Sequence, residues 1–266
     1  MVQTATRYPI RVGVQIHPQH TTYQSFADTV RRAEDMGVDS IWDWDHFFPL
    51  WGNAQGGHFE GWTLLTAMAT LTTRVQIGCL VTCNSYRNPA LLSNIAKTVD
   101  HISHGRLILG IGAGWCEYDY EQYGYEFGTT GSRLTDLEEA LPIILHRWEV
   151  DIPKPIRYPI PILIGGGGEK RTLRLAGKYA NMWHGFGDVA TIVHKMQVLD
   201  RWSLEAGRNP YEIERSTTVN NEATSNEYNA YAQAGITHFV LDLETPWNFD
   251  ALHRLICWRD TKRGDL

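Results

Sequence analysis

VQIGCLVTCNSYRNPALLSNIAKTVDHISHGRLILGIG, Val75 to Gly112, contains one complete structural repeat. VQIGCLV (75–81) is an unbroken apolar run of strand length, and NPALLSNIAKTVDHIS (88–103) has helical spacing, with Pro89 suited to a first helical turn. RLILGIG (106–112) is a second apolar run. Strands that are apolar throughout are buried on both faces, which is the condition of a parallel sheet covered by helices.

The alternation repeats in both directions. Upstream, RVGVQI (Arg11–Ile16) precedes a helix over 23–36 that Gly37 ends, and SIWDWD (Ser40–Asp45) precedes GWTLLTAMATL. Downstream come the helix 132–147, PILIGG (Pro161–Gly166) with a helix over 169–180, and NMWHGF with a helix over 191–206. ERSTTV with NEYNAYAQAG and HFVLDL with FDALHRLIC complete eight strand–helix pairs. Eight pairs in 266 residues without a linker predict a single (β/α)8 TIM barrel spanning 1–266. A doubly wound open sheet is the alternative, because Gly110, Gly112 and Gly114 resemble the start of a dinucleotide fingerprint. The third glycine of that spacing is missing, no helix is expected directly after it, and the run follows the fourth strand instead of the first.

A net charge of −6 without a basic run argues against nucleic acid as a partner. No apolar stretch approaches membrane-spanning length, and the opening MVQTATRYPIRVGV lacks signal-peptide character, so no membrane partner and a cytoplasmic location are expected. Cys79, Cys83, Cys116 and Cys257 form no CxxC pair and read as free thiols. Ten tryptophans suggest a pocket with flat walls.

A barrel places its site at the C-terminal strand ends, so the residues just after each strand are the candidates. These are His17, Gln19 and His20; Asp45 and His46; Thr82 and Asn84; Trp115 and Glu117; Gly165, Gly166, Gly167 and Gly168; and His184. Four glycines before a helix expose backbone N–H groups to an anion, with Lys170 and Arg171 either assisting or facing solvent. His46 suits hydrogen-bond donation or proton relay near neutral pH, and Glu117 beside aromatics suits acid–base work. A zinc site on His17, His20, Asp45 and His46 is disfavoured, because His17 and His20 are three residues apart across Pro18 and do not share a strand face, so no metal is expected. The aromatic stretch 114–127 reads as a lid or pocket wall.

SIWDWDHFFPLWG, HFEGWTLLTAMATLTTRVQIGCLVTCNSYRNPALLSNIAKTVDHISHGRLILGIGAGW, YGYEFGTTGSRLTDLEEAL and PILIGGGGEKRTLRLAGKYA together resemble the bacterial luciferase-like flavin and deazaflavin oxidoreductases, and specifically the members that use coenzyme F420. The resemblance implies a barrel with a deazaflavin, or alternatively FMN, across the strand ends, and a non-prolyl cis peptide at Leu80–Val81 behind the ring. It places Asp45 and His46 near the reacting centre, Ala113 and Gly114 beside the cofactor, and Gly166 to Gly168 at its phosphate. It matches Glu117 only loosely, since relatives carry a glutamate where Trp115 stands here. It also implies a small organic substrate and allows a homodimer. The alternatives are an FMN-dependent monooxygenase fed by a separate flavin reductase, and a cofactor-binding protein without turnover. Two stretches are shorter than in relatives, RWEVDIPKPIRYPIPILIGG and VNNEATSNEYNAYAQAG.

Overall fold

A computed structural model describes residues 8–264. The first half contains β1 (Arg11–Ile16), α1 (Tyr23–Asp35), β2 (Ser40–Asp43), α2 (Gly61–Leu71), β3 (Gln76–Cys79), β4 (Thr82–Cys83), α3 (Pro89–Ile102), β5 (Leu109–Gly112) and α4 (Glu117–Tyr123). The second contains α5 (Thr130–Val150), β6 (Ile162–Gly165), α6 (Thr172–Tyr179), β7 (Met182–Gly185), α7 (Val189–Glu205), β8 (Glu214–Val219), α8 (Ser225–Ala234), β9 (His238–Leu243) and α9 (Phe249–Gly264). All strand pairings are parallel, in the order β3-β2-β1-β9-β8-β7-β6-β5-β4.

β3 covers only Gln76–Cys79 of the predicted third strand 75–81, and a second short strand, β4, follows beyond it at Thr82–Cys83; between them lies the Leu80–Val81 peptide bond, which is cis as the resemblance implies. A parallel bridge between Ile77 and Leu107 joins β3 to the chain entering β5 and closes the circle. The fold is therefore an eight-fold (β/α) barrel with one interrupted strand.

Its interior is small and tightly filled. Trp42, Ile108, Leu163, Met182 and Val240 pack inside the barrel with Leu80, while a larger apolar layer lies between strands and helices. Gly78 makes room for the Trp42 indole: a Cβ there would lie 2.7 Å from Trp42 Cζ3, inside van der Waals contact. The indole Nε1 donates to Ser40 Oγ (2.8 Å), so the one polar atom of that ring is satisfied in the core.

Four expectations are corrected. β2 stops at Asp43, which leaves Trp44 and Asp45 in the loop beyond it. α6 begins at Thr172 instead of 169, after a turn, so the glycine run does not open the helix directly. A helix does follow the Gly110–Gly114 segment: α4 starts at Glu117, and Gly124 closes it in the left-handed conformation at φ 71°. α5 extends to Val150, beyond the expected 147. All four cysteines are free, and no described helix is long and apolar enough to cross a membrane.

Candidate active site

A cavity of about 390 Å³ opens at the C-terminal ends of β2, β4, β5 and β6. It gathers Asp45, His46, Leu80, Val81, Thr82, Ala113, Gly114, Gly165, Gly166 and Gly168 from the residues expected at the site. Gly167 lies in the same loop, but Glu117 does not line the cavity; it is exposed on the first turn of α4.

Val81 forms the floor. Cβ atoms at Gly112 and Gly165 would each come within 2.9 Å of its methyl groups, so glycine at these two strand ends is what lets the Leu80–Val81 segment press against them. Gln15 Nε2 fixes the same segment from below by donating to the Leu80 carbonyl (2.8 Å). Thr82 Oγ1 is buried and has no partner among the described residues. The backbone N–H groups of Gly167 and Gly168 also make no protein hydrogen bond among the described residues, whereas Gly166 N–H donates to His184 O (3.0 Å). Unused donors in a glycine loop and an unused hydroxyl on the wall fit a ligand with a phosphate at one end and a polar, flat body. Lys170 is exposed, and Arg171 is bound to α5 through Gly131 O (2.8 Å) and Thr135 Oγ1 (3.1 Å).

His46 lies at the rim. Its Nδ1 hydrogen-bonds Asp119 Oδ2 at 2.6 Å, and Asp119 also accepts from Phe47 N–H (3.2 Å) and Tyr86 O–H (3.3 Å). Burial alone would lower the imidazole's pKa, but the hydrogen bond to Asp119, with a further contribution from Cys116, outweighs it and raises the pKa to about 9. Despite the desolvation that raises it, the Asp119 carboxyl is held below its usual range, first by the His46 hydrogen bond. His46 is therefore protonated at neutral pH.

His46, Cys116 and Asp119 bring possible metal-ligand atoms within 4.8 Å of one another, a trio that the sequence reading did not anticipate. Ligands of a tetrahedral zinc sit about 3.3 Å apart at ordinary bond lengths. The 2.6 Å His46–Asp119 contact is shorter and is that of a hydrogen bond between imidazole and carboxylate.

Asp45 is fully buried and engaged. Arg87 donates to both its oxygens (2.6 and 2.9 Å) and also to Glu60, while Cys83 N–H donates to Oδ2 (3.0 Å). Burial drives the Asp45 carboxyl upward against the pull of Arg87. Glu60 in turn accepts from Trp62 and Thr63 N–H and caps α2, so this network ties the loop after β2 to the loop after β4. Asp45 thus builds the wall of the cavity through Arg87.

The remaining candidates disperse. His184 is a neutral core histidine between Ser216 and Thr218, its pKa lowered to about 3 by burial. His17 pairs with Asp242 and stacks on Trp44 (4.2 Å), Gln19 holds Leu50 N–H (2.8 Å), and His20 contacts Trp51 O (2.9 Å), so the strand-one residues do not converge on one ligand. Asn84 is buried outside this cavity. In place of a lid, Tyr120, Tyr125 and Phe127 of the aromatic stretch join Phe47 and Tyr86 in a satellite core. Only Trp115 stands at the rim, 65% exposed and edge-on to His46 (5.4 Å). Arg87, Asp119 and Tyr86 were absent from the sequence reading.

Among known proteins, the F420-dependent glucose-6-phosphate dehydrogenase of Amycolatopsis mediterranei is 31% identical over 177 residues, 60% of this chain and 52% of that one. The enzyme of the same name from Kineococcus radiotolerans is 28% identical over 235 residues, 79% and 67% of the respective chains. The chain thus spans about half to two thirds of the length of these relatives. In architecture it superposes on an F420-dependent secondary alcohol dehydrogenase in complex with an F420–acetone adduct, with a TM-score of 0.84 at 19% identity over 95% of this chain and 99% of the other. An FMN complex of a type II Baeyer–Villiger monooxygenase from Pseudomonas putida shares the fold at a TM-score of 0.64 and 19% identity over 79% of this chain and 67% of the other. Residues 3–256 match the luciferase-like monooxygenase family, and the chain belongs to it.

Proposed function

We propose that the chain is a coenzyme F420-dependent oxidoreductase that moves a hydride between the deazaflavin and a small organic substrate, with His46 as the proton-transferring group. One observation carries the reading: a histidine held protonated by a buried carboxylate faces the same cavity as a glycine-lined floor and a loop of free N–H donors. The dehydrogenase relatives support the choice of deazaflavin over FMN.

When bound, the cofactor supplies the hydride at its carbon 5, so the difficult chemistry is its own. The chain's residues hold and protonate. Gly167 and Gly168 N–H, with Gly165 and Gly166 making room, would bind the phosphate. Leu80, Val81 and Thr82 on one wall and Ala113 and Gly114 on another would hold the ring, and Thr82 Oγ1 has its hydrogen bond still to make. His46 would give its Nε2 proton to a substrate carbonyl oxygen as that oxygen gains charge, and Asp119 would keep the imidazole oriented and charged. The carboxylate that supports the proton donor is thus Asp119, in a positioning role, and not Glu117, for which the sequence suggested acid–base work.

Asp119→Asn removes the main influence that raises the His46 pKa. In the direction of substrate reduction, wild-type rates are expected to be flat through neutral pH and to fall about tenfold per unit above about 9, where the donor is lost. In Asp119→Asn that alkaline limb should move down by at least one unit; a pH–rate profile with an unmoved limb removes Asp119 from its positioning role. The same linkage acts on stability. A histidine with a raised folded-state pKa contributes most below its ordinary value of 6.5, and the contribution disappears as pH rises through about 9.

The reaction is tested by mixing protein preloaded with reduced coenzyme F420 with a panel of ketones and aldehydes and following the return of the oxidised deazaflavin absorbance. Protein-dependent reoxidation is expected. Oxygen uptake with reduced FMN, and no deazaflavin reoxidation, would replace this reading with the monooxygenase one.

A further inference from the structure

A second hollow, about 320 Å³, lies at the barrel mouth and is lined by Trp51, Asn220, Asn221, Asp242 and Glu244. It sits at the C-terminal ends of β8 and β9, under the loop that follows β2. A row of rings connects it to the proton donor: His46 lies 5.9 Å from Trp44, and Trp44 lies 5.2 Å edge-on from Trp51. Trp44 is itself locked by donation of its Nε1 to His58 (2.8 Å), so the row is a fixed wall.

The chemistry of this hollow is specific. Asp242 and Glu244 supply carboxylate oxygens, and each is also oriented by a neighbour, Asp242 by His17 and Glu244 by Trp51 Nε1 (2.7 Å). Asn221 Oδ1 is shielded and has no partner among the described residues, and Trp51 offers a large apolar surface, being 43% exposed. No Lys or Arg lines either hollow among the described residues. Arg254 donates to the Asn221 carbonyl (2.8 Å) from α9 and does not line the hollow. Acceptor oxygens around an apolar indole suit a ligand that presents several hydroxyl donors on a hydrocarbon frame. A phosphate dianion needs the reverse, clustered donors of positive charge, and two carboxylates repel it.

We propose that this hollow is the distal substrate subsite and selects an uncharged polyhydroxylated compound, a sugar or polyol, over its phosphorylated form. The inference rests on the proposed oxidoreductase reading, which places the reacting carbon at His46. It departs from the sugar phosphate that the dehydrogenase relatives are named for. The two readings separate because the subsite can be measured by binding alone, without turnover.

The experiment titrates the coenzyme F420-loaded protein, and in parallel the unloaded protein, with glucose, sorbitol and the 6-phosphate of each, using tryptophan fluorescence and calorimetry. The neutral compounds are expected to bind at least tenfold more tightly than their phosphates. Asp242→Asn combined with Glu244→Gln should weaken neutral binding at least tenfold while leaving coenzyme F420 affinity unchanged. Glu244→Lys should narrow or reverse the preference against phosphate. Both positions, Asp242 and Glu244, lie at the partly exposed mouth, so these variants test recognition with the core intact. Equal or tighter binding of the phosphates, no binding of any neutral member, or indifference to both variants overturns the proposal. A failure to bind coenzyme F420 with the sugar preference intact counts against the oxidoreductase reading and leaves the subsite standing.

Discussion

Replacing His46 with alanine is expected to lower kcat by about 10²–10⁴-fold while coenzyme F420 affinity stays within about threefold. General acid catalysis contributes on that scale when the donor is positioned and charged, and His46 is both. The affinity should survive because the residues offered for the phosphate and ring lie on the other cavity walls, at Leu80–Thr82, Ala113–Gly114 and Gly165–Gly168. The variant leaves Asp119 with its bonds from Phe47 N–H and Tyr86 O–H, so the fold should persist, as circular dichroism would report. Single-turnover rates with reduced cofactor separate chemistry from binding. Unchanged turnover in His46→Ala would take the residue out of the mechanism.

The second large effect is on stability. Arg87→Met should destabilise the protein by about 3–5 kcal/mol, the usual consequence of removing one partner from a buried ion pair. It leaves the fully buried Asp45 carboxylate without its two charge-assisted bonds and releases Glu60 as well. In a chain of this size the melting temperature should fall on the order of 10 °C. The deficit has a sign in pH: without Arg87 the Asp45 pKa rises further, so the variant pays least in acid, where the group is neutral, and most above neutrality. Chemical denaturation at pH 5 and pH 8 measures both. A loss under 1 kcal/mol with no pH dependence would show that the network is not structural.

The barrel was legible because most of its strands are short runs rich in apolar or β-branched residues that alternate with helical segments, and that pattern is local. RVGVQI, ERSTTV and HFVLDL match β1, β8 and β9 end to end. Boundaries slipped where tertiary geometry decides them: SIWDWD keeps its apolar–polar alternation to Asp45, yet β2 ends at Asp43 and Asp45 lies beyond it, paired with Arg87. DWDHFF and GGGGEK were readable as site segments because they stand at strand ends. Arg87 and Asp119 were not, being 42 and 73 residues from the partners they serve. One local signal pointed toward Asp119. EYDYEQYG ends in the glycine that closes a helix, and reading it as a helix turns Asp119 and Tyr120 together onto the buried side, leaving Glu117 outside. Glu117 stands out in the sequence as a carboxylate beside aromatic residues after the fourth strand, whereas burial and a partner mark out Asp119.

The central claim, that this one cavity holds a deazaflavin, is tested most directly by equilibrium fluorescence titration of the purified protein with coenzyme F420 and with FMN, repeated on Gly165→Val. Saturable coenzyme F420 binding that is tighter than FMN binding and is lost in Gly165→Val, where a side chain would collide with Val81 and fill the floor, is the expected result. Tight FMN binding with no response to coenzyme F420, or deazaflavin binding indifferent to Gly165→Val, would contradict the account.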